Sequence, residues 1–135
     1  MPRLSLYLLL LLPMSVLADG RVPAWLLRLP DSTPTVFVAE SATSTFHRFD
    51  VVDGELTRTR QDYMSIGKGG TGKERVGDRR TPLGIYFVTE QLETSRMHEK
   101  YGATAFPLDY PNAWDRRLGR TGDGIWVHGV DRNGG

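Results

Sequence analysis

The run from Thr35 to Arg60 limits the fold more than any other part of the chain. TVFVAE alternates and is rich in β-branched and aromatic residues, so it reads as a strand. STFHRFDVV reads as a second strand, with Phe46 and Phe49 expected in or near the core. His47 alternates with the phenylalanines and is expected on the solvent side. Asp53-Gly54 then supplies a turn of the kind that closes two-residue hairpins, because these residues tolerate positive φ. ELTRTR, DYMSIG and GIYFVTE continue the β pattern, and FPLDYP and GIWVHG read as late strands. Helical signals are few. Thr94-Ser95 is expected to cap a short helix through Met97 and Lys100, with His98 exposed on it. Asn112 is expected to cap AWDRRLG, which Gly119 ends. There are no internal repeats or low-complexity tracts. The fold class predicted is mostly β, a single sandwich or barrel-like domain with one or two short helices.

The N-terminus reads differently. MPRLSLYLLLLLPMSVLA carries one early charge, Arg3, then an apolar run from Leu4 to Leu12, then small residues before Asp19. This pattern predicts a secretory signal peptide, residues 1–18, cut after Ala18 and standing outside the fold. The competing reading, a membrane anchor, needs about 20 apolar residues, and Pro13 interrupts the run well before that. No membrane span is expected once the signal is cleaved. Residues 19–34 follow as a loosely packed lead-in, RVPAWLLRLPDSTP, with three prolines. The domain proper is expected to begin at Thr35.

Charge and cysteine usage exclude several classes. Lys and Arg total 17 and Asp and Glu 16, and Arg3 lies in the leader, so the remainder is formally neutral. Nothing there favours nucleic acid or an anionic membrane as a partner. There is no cysteine, so an exported domain of this composition uses no disulfide and has no thiol of its own. The three histidines, His47, His98 and His128, lack metal-ligand spacing, so neither a metal nor another cofactor is expected.

GKGGTGKE, from Gly67 to Glu74, nearly spells a phosphate-binding loop. Gly67, Gly72 and Lys73 match G-x-x-x-x-G-K. The next position needs a hydroxyl for magnesium and holds Glu74 instead. RVGDRRTPLG then brings two glycines and a proline where a helix should start. A glycine-rich connection between strands is the better reading, and no nucleotide is expected.

Three stretches together carry a resemblance. They are SIGKGGTGKERVGDRRTPLGIY, YGATAFPLDYPNAWDRRLGRTGDGIWVHG, and the VFVAE…FHRFDVVDGEL hairpin. They resemble the YkuD-type L,D-transpeptidase catalytic domain, in the ErfK/YafK-like branch, over about Thr35 to Val130. The resemblance implies a mostly-β domain acting on peptidoglycan stem peptides outside the cytoplasmic membrane, in the periplasm or cell envelope. The usual reaction is acyl transfer: a cysteine attacks a stem tetrapeptide, expels the terminal D-alanine and holds a thioester. An amine from a neighbouring stem then takes the acyl group. Some relatives attach proteins to the wall and others hydrolyse such links. A free thiol near pKa 8.5 is mostly protonated at neutral pH, so the reaction needs a base to generate the thiolate.

By that resemblance His128, in Ile125-Trp126-Val127-His128-Gly129, is the general base, and Gly129 is a candidate for substrate contact. The family's [ST]-x-G-C segment follows downstream, whereas only VDRNGG lies beyond Gly129 here. The expectation is therefore residues 35–135 as the N-terminal part of the catalytic domain, C-terminally incomplete and without its nucleophile. Ser65, Thr81 and Thr121 do not occupy a matching position. Thr81, Pro82 and Gly84 read as a tight turn into GIYFVTE, and Trp114 and Trp126 as core or rim packing. The rival reading is a non-catalytic peptidoglycan- or partner-binding module. Loss of the following segment also predicts an unpaired edge at Ile125 to Val127, with reduced stability and a tendency to aggregate.

Overall fold

The computed structural model describes residues 8–12 and 33–130. Five strands form one sheet: β1 (Leu8–Leu12), β2 (Thr35–Glu40), β3 (Thr45–Val52), β4 (Glu55–Tyr63) and β5 (Gly84–Phe87). Their spatial order is β4-β3-β2-β1-β5. A second sheet, in the order β6-β7-β8, is built from β6 (Leu92–Glu93), β7 (Thr104–Pro107) and β8 (Trp126–His128). All pairings are antiparallel except β1 with β2. One short α-helix, α1 (Ala113–Arg117), and a 3-10 turn at Glu99–Tyr101 complete the described elements. The fold is the mostly-β, two-sheet arrangement that the alternation predicts.

The predicted hairpin forms as expected. Asp53 and Gly54 both take positive φ, 51° and 82°, which matches the right-handed twist of the strands they join. β3 and β4 then pair from Val52↔Glu55 back to Thr45↔Tyr63, with a register shift at Arg48/Phe49.

Phe46 and Phe49, three residues apart, point to opposite faces of the sheet. On one face Phe46 stacks on Phe37 at 5.3 Å, and the two pack against a core of Ala39, Tyr86, Val88, Leu108 and Tyr110 that reaches the second sheet. On the other face Phe49 lies opposite Val36 and His47 opposite Val38. Val36, Val38 and Phe49 are fully buried, each contributing about 1.5–3 kcal/mol of apolar transfer. His47 is therefore not on a solvent side. The buried face of β3 is the one that carries His47 and Phe49, while Phe46 and exposed Arg48 on the other face border a groove, so the phenylalanines alone do not mark which face is dry. His47 is 3% exposed and sets Nε2 3.3 Å from Oε2 of Glu40, itself buried.

The two sheets meet along a seam. Val88 bridges Leu108, Thr89 N–H donates to Pro107 O, and Asp109 N–H donates to Phe87 O. α1 is fixed beside this seam. The side chain of Asn112 accepts from Trp114 and Asp115 N–H, and the Asp115 carboxylate accepts from Asn112 N–H, a complete capping box. Asp115 is buried and also accepts from Tyr86 Oη at 3.2 Å and Arg120 Nη1 at 2.9 Å. Burial first, and the Asp115 charge next, push the Tyr86 hydroxyl far above its ordinary pKa.

Three local expectations are corrected. The helix predicted from Thr94 shrinks to the 3-10 turn, capped by His98, whose Nδ1 accepts from Lys100 N–H. Thr94 is fully buried and donates to Gly102 O at 2.6 Å instead of capping. Trp114 is 63% exposed on α1, because the inward-facing side of so short a helix belongs to Asp115.

The predicted lead-in, 19–34, lies outside the described residues except Thr33 and Pro34, and so does the predicted signal segment except Leu8–Leu12. That stretch is β1, inside the sheet, whereas its composition alone places it outside the fold. Among the described residues no helix is long and apolar enough to cross a membrane.

Candidate functional site

β8 positions His128. It pairs with β7 through Ala105↔His128, Phe106↔Val127 and Pro107↔Trp126. Alternation sends Val127 toward the core, while Trp126 and His128 share the opposite side. Both meet Tyr101, at the end of the 3-10 turn. Its ring lies 5.4 Å from Trp126 and meets His128 edge-on at 5.2 Å. Lys100 Nζ sits 4.9 Å from the Tyr101 ring centroid. His128 is thus exposed to solvent yet held against an aromatic wall.

The backbone sets its protonation geometry. Nδ1 of His128 lies 2.8 Å from Gly129 O. A carbonyl only accepts, so Nδ1 carries the proton, and in the neutral ring Nε2 is left with a free lone pair. Gly102 approaches the Gly129 backbone closely. A Cβ on Gly102, whose φ is +68°, would fall 2.9 Å from Gly129 Cα and 2.8 Å from Val130 O. Thr94 locks Gly102 from the other side. Tyr101, Gly102 and Thr94 are site residues that sequence reasoning misses. The only signal is Tyr101-Gly102, an aromatic followed by a residue free to adopt positive φ.

The other sequence candidates lie elsewhere. His47 is buried with Glu40 in the first sheet, and His98 caps the 3-10 turn. Thr81 Oγ1 accepts from Gly67 N–H and Thr121 Oγ1 from Val76 N–H, so both hydroxyls are committed to holding loops. Ser65 is exposed beyond the end of β4. Among the described residues no group of His, Asp and Glu is placed to hold a metal ion.

The glycine-rich loop is closed on itself. Gly69 N–H donates to Arg79 O, Gly70 N–H to Gly67 O and Lys73 N–H to Thr81 O. Lys73 is buried and gives its charge to Asp78 at 2.7 Å. Asp78 accepts further from the N–H groups of Glu74, Arg75 and Arg80. The Arg75 N–H and the Lys73 ammonium hold the Asp78 carboxyl far below the usual range. These amides and this lysine are engaged within the loop, which they brace. It clasps the segment leading to β8, since Thr121 N–H donates to Glu74 O.

A groove of about 180 Å³ opens between the sheets, lined by Phe37, Phe46, Arg48, Val88, Phe106 and Val127 among others. Val127 ties it to the strand that carries His128.

Residues 35–135 match the YkuD family, the L,D-transpeptidase catalytic domain. The chain belongs to that family. Among solved structures it is similar to the helical cell shape determining protein Pgp2 from Campylobacter jejuni, at 27% identity and a TM-score of 0.65. That match covers 75% of this chain and 35% of Pgp2. Bd1075 from Bdellovibrio bacteriovorus is similar at 27% identity and a TM-score of 0.59, over 76% of this chain and 35% of that one. The chain therefore spans about a third of the length of either structure. No curated protein sequence matches it.

Proposed function

We propose that the chain is an exported L,D-transpeptidase-family domain of cell wall biogenesis, acting in the periplasm or envelope on peptidoglycan stem peptides. His128 is its general base. The observation that carries this reading is the Nδ1–H to Gly129 O bond, which leaves Nε2 able to take a proton from a thiol. Gly129 contributes its carbonyl to that arrangement. Similarity to a protein named for determining helical cell shape favours a role in wall remodelling.

The 135 residues contain no cysteine, so this chain performs no thioester chemistry by itself. Incubation with a carbapenem followed by intact-mass measurement is expected to show no adduct. A covalent adduct would overturn the claim of silence. Nitrogen-15 NMR is expected to find neutral His128 protonated at Nδ1, and a dominant Nε2–H form would remove the base assignment.

The groove beside Val127 favours a second reading, a wall-binding module without chemistry. Saturable co-sedimentation with purified peptidoglycan, lost in an Arg48→Ala variant, would support it.

A further inference from the structure

The centre of the larger sheet depends on a segment from outside the family domain. β2 and β5 do not pair with each other; β1 lies between them. It pairs in parallel with β2 from Leu8↔Val36 to Leu12↔Glu40, and antiparallel with β5 from Leu8↔Phe87 to Leu11↔Gly84. Adjacent strands are about 4.8 Å apart, so without β1 the two walls would face each other across roughly 10 Å. Five of the six residues of β2 are buried, so its backbone groups need a partner inside the protein. The family match begins at residue 35. Both walls of the slot fall within that match, and the occupant does not. The occupant is also the apolar stretch of the expected signal peptide. Pro13 follows Leu12 directly in the sequence, and a proline is poorly suited to the interior of a doubly paired strand.

We propose that the space between β2 and β5 is a strand-acceptor site whose occupant is the Leu8–Leu12 segment of this chain. The segment stays seated after a cut at Ala18, held by main-chain pairing to two strands, and it rebinds in trans when displaced. What the slot recognises is an extended, apolar, proline-free strand running parallel to β2. This resembles strand addition at a sheet edge, except that both edges of the added strand are paired. The link to export rests on the signal-peptide reading, while the slot itself does not.

The test is hydrogen exchange on the full chain, then on the same chain carrying a protease site inserted after Ala18. In the uncut chain the amides of 8–12, 35–40 and 84–87 are expected to be protected together. After cutting, the leader fragment is expected to co-elute with the body. Stripping it in mild denaturant should raise exchange in both walls about tenfold or more, with β3 and β4 less affected. A synthetic peptide of residues 4–16 should restore protection, and its Leu10→Pro form should not. Free exchange of the 8–12 amides in the uncut chain would overturn the proposal, as would unchanged wall protection after the fragment leaves. If the exported protein is found to begin at Met1, the signal-peptide reading fails and the slot stands. If the amides exchange freely and the exported protein begins at Asp19, the reverse holds.

Discussion

His47 and His128 sit on strands of the same domain and have opposite surroundings. His47 is buried on the larger sheet beside Glu40, at the cost of desolvating two ionisable groups. His128 lies on an outer strand of the smaller sheet, open to solvent, with its ring set by an edge contact and one backbone carbonyl. The first arrangement belongs to the packing of the fold. The second leaves a ring nitrogen accessible and oriented, which is what proton transfer requires. A histidine's sequence neighbours separate these cases poorly, and the burial of the face that each one occupies separates them well.

The largest effect should come from breaking the buried pair. Glu40→Ala is expected to destabilise the protein by about 3–5 kcal/mol, because it leaves His47 buried without its carboxylate. Urea unfolding followed by tryptophan fluorescence measures this directly. A loss below about 1 kcal/mol would mean that the pair is not a structural element, and the contrast with His128 would collapse.

Next in size is Gly102→Ala. The added Cβ would collide with Gly129 and Val130 backbone, at a φ of +68°. A cost of about 1–3 kcal/mol is expected, together with displacement of the His128 strand end. The His128 ring resonances should shift while those of His47 stay in place. If both histidines respond equally, the site is coupled to the whole core and is not a local construction at the sheet's edge.

Much of this contrast is legible in the sequence. The Asp53-Gly54 hairpin, the Asn112 cap and the placement of His128 on a strand all follow from local rules, because each is decided by a few adjacent residues. What escapes those rules is decided between distant segments. His47 reads as solvent-facing because Phe46 suggests that its own face is the dry one, whereas the dry face is that of His47 and Phe49. Thr94 reads as a helix cap because nothing nearby in the chain shows that its hydroxyl reaches Gly102 O. Tyr101 joins the site only through the fold of its turn against β8. The leucine run reads as a leader by composition, and the same composition equally suits a strand with neighbours on both sides.

The Asp78 brace gives a smaller, pH-dependent effect on the same comparison. Its carboxyl titrates below the ordinary range in the folded state, because of backbone N–H donors and Lys73. The stability it supplies is therefore fully present above about pH 4 and is lost as pH falls through the lower, folded value. Asp78→Asn should flatten the acid arm of the stability curve and speed amide exchange at Glu74, Arg75 and Arg80, all partners of this carboxylate. An acid arm identical to that of the native protein would show that the brace contributes nothing to stability.

The smallest stability effect is expected where the chemistry is proposed. His128 is exposed, and its hydrogen bond joins it only to its own neighbour, Gly129. His128→Ala should therefore change unfolding free energy by less than about 0.5 kcal/mol, the range of surface substitutions without special partners. A residue that holds the fold together would cost several times more. A residue kept for reactivity can be removed with the fold intact, as an exposed base on a packed strand should be. The measurement is the same urea titration used for Glu40→Ala, run on both variants side by side. A ratio of several-fold between the two losses sustains the division into a structural and a chemical histidine. Equal losses would mean that Trp126, Tyr101 and His128 form a small core of their own, and the aromatic wall would then be packing first and a site second.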